Sequence, residues 1–125
     1  MVNRPCVLVV EDDENKRWLL GHYLSKAISS AECVLCASGA EAINHLTKRS
    51  VDAIVTDHSM EPINGLELIK WVRSHLAALP IIMVTAHTWI EREAMEAGAN
   101  MVLSTLRFSE VGEFLLPMLR PAEEA

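Results

Sequence analysis

Asp57 closes a short apolar run, Ala53-Ile54-Val55-Thr56, and the acidic cluster Glu11-Asp12-Asp13-Glu14 closes another, Val7-Leu8-Val9-Val10. In a parallel α/β fold the carboxyl ends of neighbouring strands share one edge of the sheet, so carboxylates far apart in the chain are brought to one pocket. Carboxylates gathered within about 4 Å repel one another by roughly 4 kcal/mol at an effective dielectric near 20, and such a cluster holds a hard cation such as Mg²⁺ or carries a raised pKa. An aspartate at a strand end can also do no more than cap the following turn. That plainer role leaves the acidic run on the other strand unexplained.

The elements that must position these acids follow from the apolar pattern. Strand-length runs recur at Cys6 to Val10, Cys33 to Ala37, Ala53 to Thr56, Ile81 to Thr85 and Met101 to Leu103, with helical patterns between them. This alternation predicts a doubly wound α/β fold, a parallel sheet with helices on both faces. A first helix over Glu14 to Ser29 turns Leu20, Leu24, Ala27 and Ile28 inward. A second, from Ser38 or Gly39, carries Ala42, Ile43 and Leu46 inward, and a third, from Gly65 to Leu76, carries Leu66, Ile69 and Val72. A fourth spans Trp89 to Glu96 and stops at Gly98, the residue type suited to a left-handed exit. The fifth is predicted to start at Ser109 as N-cap and to bury Val111, Phe114, Leu115 and Met118. Five β-α units thus consume residues 1–121 as one domain, and residues 122–125 read as a frayed tail.

Composition narrows the function. The 125 residues, half of them hydrophobic, suffice for one core. Seventeen acidic against eleven basic residues, a net charge of −6, argue against the basic stripe that nucleic-acid backbones require. The three cysteines, Cys6, Cys33 and Cys36, are an odd count, and Cys33-x-x-Cys36 falls within a strand, where side chains alternate faces. They are expected to be small buried thiols in a reducing compartment. With no leader pattern and no apolar run of membrane-spanning length, the chain is expected to be cytoplasmic and off the membrane.

Taken together, the run Val7-Leu8-Val9-Val10-Glu11-Asp12-Asp13-Glu14, then Asp57-x-x-Met60 with Asn64-Gly65, then Ile81-Ile82-Met83-Val84-Thr85-Ala86, and Ala97-Gly98-Ala99 resemble the response-regulator receiver family of two-component signalling. The resemblance runs over nearly the whole chain. It implies a flavodoxin-like (βα)5 fold with strand order 2-1-3-4-5. It also implies that Asp57 is the phosphoacceptor, that Glu11 and Asp12 help hold Mg²⁺ with Asp57 and the Ser59 carbonyl, and that the Thr85 hydroxyl meets the phosphoryl group. Asp13 is the rival of Glu11 or Asp12, because the acidic run leaves the register open by one. A carboxylate attacking an already negative phosphoryl group needs a bound cation, which fits this set of residues.

Three departures from the family pattern stand out. Where receivers carry a Lys-Pro pair after the fifth strand, this chain has Thr105-Leu106. The missing ammonium removes a charge-assisted contact worth about 1.5–3 kcal/mol, and Arg107, two residues on, is not an equivalent replacement. The missing proline removes the reason to expect a cis peptide there. Val102 occupies the place of the aromatic rotamer switch, and the proline after Asp57 comes one place late, in Met60-Glu61-Pro62.

The resulting expectation is a phosphorelay receiver that takes a phosphoryl group from a histidine kinase or phosphotransfer protein onto Asp57. It is expected to switch a downstream protein contact on the face formed by Trp89, Arg107 and the fifth helix, with homodimerisation through the last helices open. It is an acceptor that helps catalyse its own phosphorylation and hydrolysis more than a dedicated enzyme. The alternative is a pseudo-receiver, a phosphorylation-independent interaction module. A cofactor-binding flavodoxin-like protein is disfavoured, because Glu11 to Glu14 would repel a phosphate after the first strand. His58 and His87 lie next to the pocket, where His87 can gate water or both can be ordinary solvated histidines. His22, His45 and His75 have no ligand spacing. Trp71 is expected partly buried, Trp18 near the acids is a reporter of metal binding, and Trp89 is either core-packed or a partner contact.

Overall fold

Five apolar runs form one parallel sheet, and the computed structural model describes residues 4–76 and 78–119 of it and its surroundings. The strands are β1, Cys6–Val10; β2, Glu32–Cys36; β3, Ala53–Thr56; β4, Ile81–Thr85; and β5, Met101–Ser104. Their order is β2-β1-β3-β4-β5, all neighbours parallel. The crossovers are α1, Glu14–Ala27; α2, Gly39–Leu46; α3, Gly65–His75; and α4, Glu91–Ala97, with α5, Val111–Leu115, following β5. The expected doubly wound flavodoxin-like arrangement is therefore what the chain adopts. The tail expected at 122–125, and the end of the domain at 121, lie outside the described residues.

The central strands are buried on both faces, and their alternation divides the interior in two. Leu8, Val10, Ile54, Ile81 and Met83 pack with Ala42 and Leu46 of α2, Leu68, Ile69 and Val72 of α3, and Ala94 of α4. Val7, Val9, Val55, Ile82, Val84 and Leu103 pack on the other side with Leu20 and Leu24 of α1 and Val111 and Leu115 of α5. Each such fully buried aliphatic side chain contributes about 1.5–3 kcal/mol relative to exposure.

Several helix details differ from the sequence expectation. Ala27 is exposed, because the inward stripe of α1 runs through Leu20, Gly21, Leu24 and Ile28, with Leu35 of β2 lying over Gly21. In α3 the fully buried position is Leu68 rather than Leu66, which is only partly buried. The fourth segment opens as a 3₁₀ turn, Thr88–Ile90, before α4 begins. Gly98 does end α4, at φ 123°, and its carbonyl accepts from Arg73 Nε at 3.0 Å and Nη2 at 2.7 Å.

Ser109 is not the cap of the last helix. The Ser104 hydroxyl accepts from the Leu106 N–H at 3.1 Å and starts 3₁₀ turns over Thr105–Glu110, kinked at Arg107 (φ −117°), and α5 begins only at Val111 without a side-chain cap. Val111 and Leu115 are buried, but Phe114 and Met118 only partly. Among the described residues no helix is long and apolar enough to cross a membrane.

Candidate functional site

β1 and β3 are adjacent and paired Val10 with Thr56, so the next residue of each strand, Glu11 and Asp57, emerges at the same edge. The main chain holds that register past the strands: the Asp57 N–H donates to the Val10 carbonyl at 3.1 Å, and the Glu11 N–H to the Cys36 carbonyl at 3.0 Å. Carboxylate oxygens of Glu11, Asp12 and Asp57 consequently lie within 4.8 Å of one another. Glu11 is 2% and Asp57 5% exposed, while Asp12 faces solvent. Asp13 is not in the group. It stands at the N-cap of α1, and its N–H donates to Glu11 Oε2 at 3.0 Å.

Burial dominates the electrostatics of Glu11 and pushes its carboxyl up from 4.5 to about 7, with the nearby Asp57 charge and the Asp12 side chain adding to the rise. The Asp13 N–H and the Lys16 ammonium act in the opposite direction and do not cancel it. Near neutrality the cluster therefore takes up a proton or a cation. Asp57 Oδ1 accepts from the His58 N–H at 2.6 Å, and the Thr56 hydroxyl donates to the Asp57 carbonyl at 2.8 Å. The first contact orients the carboxylate at the strand tip, and the second holds the peptide that carries it.

The loop after Asp57 turns back through Gly65, whose N–H donates to the His58 carbonyl at 2.9 Å. A Cβ on Gly65 would run into the Asp57 carbonyl, the His58 Cα and the Met83 Cε, so a side chain is excluded by the backbone's close approach. Asn64 then starts α3 with a reciprocal cap: its side chain accepts from the Glu67 N–H at 2.8 Å, and its own N–H donates to Glu67 at 2.9 Å. In the sequence Asn64-Gly65 stands only as part of the family pattern, although the pair is a cap-and-turn signal in its own right and here does both jobs. Between the loop and β1 lies an open, mostly polar cleft of about 580 Å³, lined by Asp12, His58, Ser59, Glu61 and Asn64 among others. The Glu61–Pro62 peptide bond in its wall is cis.

Thr85 is fully buried at the tip of β4, and its hydroxyl accepts from the His87 N–H at 3.1 Å. Because Thr56 pairs with Met83, Thr85 stands at the same sheet edge as Asp57. Ser104 of β5 pairs with Thr85, and Thr105 follows it, partly buried. Arg107 does not take over the missing lysine's place. Its guanidinium binds Glu110 at 2.9 and 3.2 Å and lies 5.2 Å from the centre of the Phe114 ring. Val102 is partly buried opposite Met83. The His87 ring sits 6.0 Å from that of Trp89, whose side chain is 71% exposed rather than packed in the core. Trp18 is also exposed and stacks on His22, and Trp71 is partly buried, stacked on His75.

Three convergent carboxylates, two of them buried and none joined to an Arg or Lys side chain among the described residues, form an oxygen-only donor set. That chemistry fits Mg²⁺, a hard ion that takes one or a few carboxylates and keeps several waters.

Comparison with known proteins agrees with the architecture. The family model of the response regulator receiver domain matches residues 7–105. The DNA-binding transcriptional regulator NtrC of Escherichia coli K12 is 33% identical over 87 residues, 70% of this chain, which spans only 18% of that relative's length. Among solved structures, the chemotaxis response regulator CheY4 of Vibrio cholerae is 30% identical at a TM-score of 0.77, covering 92% of this chain and 98% of its own. The response regulator protein TrrA of Thermotoga maritima, in complex with Mg(2+)-BeF, is 26% identical at a TM-score of 0.82, covering 92% of this chain and 99% of its own. The family match covers most of the chain, and the chain belongs to the response-regulator receiver family.

Proposed function

Taking that membership as the premise, we propose that this chain, over residues 1–121, is a phosphoacceptor of a two-component phosphorelay, with Asp57 as the residue that is phosphorylated. The observation that carries the reading is the convergence of Glu11, Asp12 and Asp57 within 4.8 Å at the tips of β1 and β3. Glu11, Asp12, Asp57 and the Ser59 carbonyl would hold Mg²⁺. When bound, the ion offsets the negative charge of the carboxylates and of the incoming phosphoryl oxygens.

An Asp57 carboxylate oxygen attacks the phosphorus of a phosphohistidine on a histidine kinase or phosphotransfer protein. The P–N bond breaks, the imidazole nitrogen leaves with the electron pair, and an aspartyl phosphate forms. The His58 N–H on Oδ1 orients the carboxylate and leaves the other oxygen as nucleophile. The Thr85 hydroxyl, which accepts from the His87 N–H at 3.1 Å, would turn to donate to a phosphoryl oxygen and so draw the loop after β4 toward the site. Water later attacks the acyl phosphate and regenerates the carboxylate. The output is a change in affinity at the face carrying Trp89, Arg107 and α5, where Trp89 is 71% and Leu106, beside Arg107, 92% exposed, for a downstream protein or a second copy. This role places its action in the cytoplasm.

Acetyl phosphate with Mg²⁺, followed by intact-mass measurement, tests the reading. Wild type is expected to gain the mass of one phosphoryl group and Asp57→Asn to gain none. An unlabelled wild type, under conditions that label a control receiver, would transfer the conclusion to the pseudo-receiver.

A further inference from the structure

Arg17 touches none of the three carboxylates, yet it grips the main chain that carries two of them. Its Nη1 donates to the Glu11 carbonyl at 2.9 Å and reaches the Asp12 carbonyl at 3.5 Å. The side chain is partly buried, and the Arg17 N–H donates to the Asp13 carbonyl at 2.9 Å, closing the first turn of α1. One residue thus holds the Glu11 and Asp13 carbonyls at 2.9 Å and reaches the Asp12 carbonyl between them at 3.5 Å. The opposite side of the same segment is held by the Glu11 N–H on Cys36 and the Asp13 N–H on the Glu11 carboxylate. A carbonyl bound by a guanidinium cannot rotate away without losing a charge-assisted hydrogen bond, and this fixes the direction in which the Glu11 and Asp12 side chains leave the backbone.

Resting on the phosphoacceptor reading, we propose that Arg17 is a positioning residue for the divalent cation: it ties the Glu11 and Asp12 carbonyls so that their carboxylates stay convergent on Asp57. The arrangement spends no carboxylate lone pair on Arg17, because the guanidinium occupies the main chain instead. Both contacts come from Nη1 of a planar, permanently charged group, whereas a lysine ammonium on its flexible stem holds such geometry less well. The charge of Arg17 also acts on the ion directly, by repulsion. Positioning and repulsion have opposite signs in the affinity, so a titration separates them.

The test is Mg²⁺ binding to the full chain by calorimetry for wild type, Arg17→Met and Arg17→Lys, with amide exchange of Asp13 measured in the metal-free proteins. Loss of a residue that orients metal ligands costs about 10-fold or more in affinity. Arg17→Met is therefore expected to bind Mg²⁺ about 10-fold more weakly and to exchange the Asp13 amide faster, with Arg17→Lys between it and wild type. An Arg17→Met protein that retains its fold and binds Mg²⁺ as tightly as wild type, or more tightly, would overturn the proposal. So would a lowered melting temperature with unchanged affinity, which is the mark of a structural role alone. If wild type binds no Mg²⁺, the phosphoacceptor reading fails and takes this inference with it; if wild type binds and the variants match it, only the role of Arg17 is lost.

Discussion

Raising the pH of the metal-free protein should loosen its fold, and Glu11 is the reason. Its carboxyl holds a proton to about pH 7 in the folded chain, against an ordinary value of 4.5. Between those two values the unfolded chain has released a proton that the native state keeps, so stability falls as pH rises through the window and is flat on either side of it. Each pH unit across the window is worth about 1.4 kcal/mol. Relaxation around the cluster and the repulsion shared with Asp57 reduce the full amount, leaving about 2–3 kcal/mol, or roughly 8–12 °C in melting temperature for a domain of this size.

Thermal melts from pH 4.5 to 8 in the presence of a chelator, for wild type and Glu11→Gln, isolate this one group from the others that titrate in the range. The neutral amide is expected to remove the decline, so that the difference between the two proteins grows in favour of the variant up to pH 7 and then levels off. Added Mg²⁺ restores wild type above pH 7 by mass action and does so less below it, because the proton and the ion compete for the same carboxylate. Two curves that run parallel across the window would refute the reasoning, since Glu11 would then titrate alike in the folded and unfolded chains.

Two further substitutions probe the surroundings. Gly65→Ala places a methyl group against the Asp57 carbonyl and the His58 Cα, backbone atoms that cannot step aside, and is expected to cost about 1–3 kcal/mol in denaturant unfolding while weakening Mg²⁺ binding in the same sample. Leu106→Ser, at a side chain 92% exposed, is expected to change stability by no more than about 0.5 kcal/mol; a larger loss would show that Leu106 packs within the domain rather than standing free on its surface.

Strands were the most legible part of this chain in sequence. β1, β3 and β4 have the expected limits because strands buried on both faces are written as unbroken aliphatic runs, with a polar residue at the edge to end them. The meeting of Glu11 and Asp57 was legible for the same reason, as two acids each one residue past such a run. Local choices between competing hydrogen bonds were not. Ser109 reads as a good cap in sequence, but the Ser104 hydroxyl accepts from the Leu106 N–H and the chain enters α5 through 3₁₀ turns kinked at Arg107, which no local spacing announces. The choice between Asp12 and Asp13 depends on the path of the turn into α1, where Asp13 takes the N-cap position without a side-chain cap bond. Neither the protonation of Glu11 nor the grip of Arg17 has a spacing signature, since the first arises where the tips of β1 and β3 meet and the second depends on the path of the turn from β1 into α1.

The division of the interior has a consequence for how tolerant the acid pair is to change. Val7 and Val9 feed one core and Leu8 and Val10 the other, so inserting or deleting one residue in β1 would not merely slide Glu11 along its edge. It would trade the side chains of the two cores for each other, a misfit that every flanking helix would feel. The strand behaves as a ratchet with a pitch of two residues. What anchors the acid pair in place is less its own handful of polar contacts than the many aliphatic neighbours that forbid the half-step.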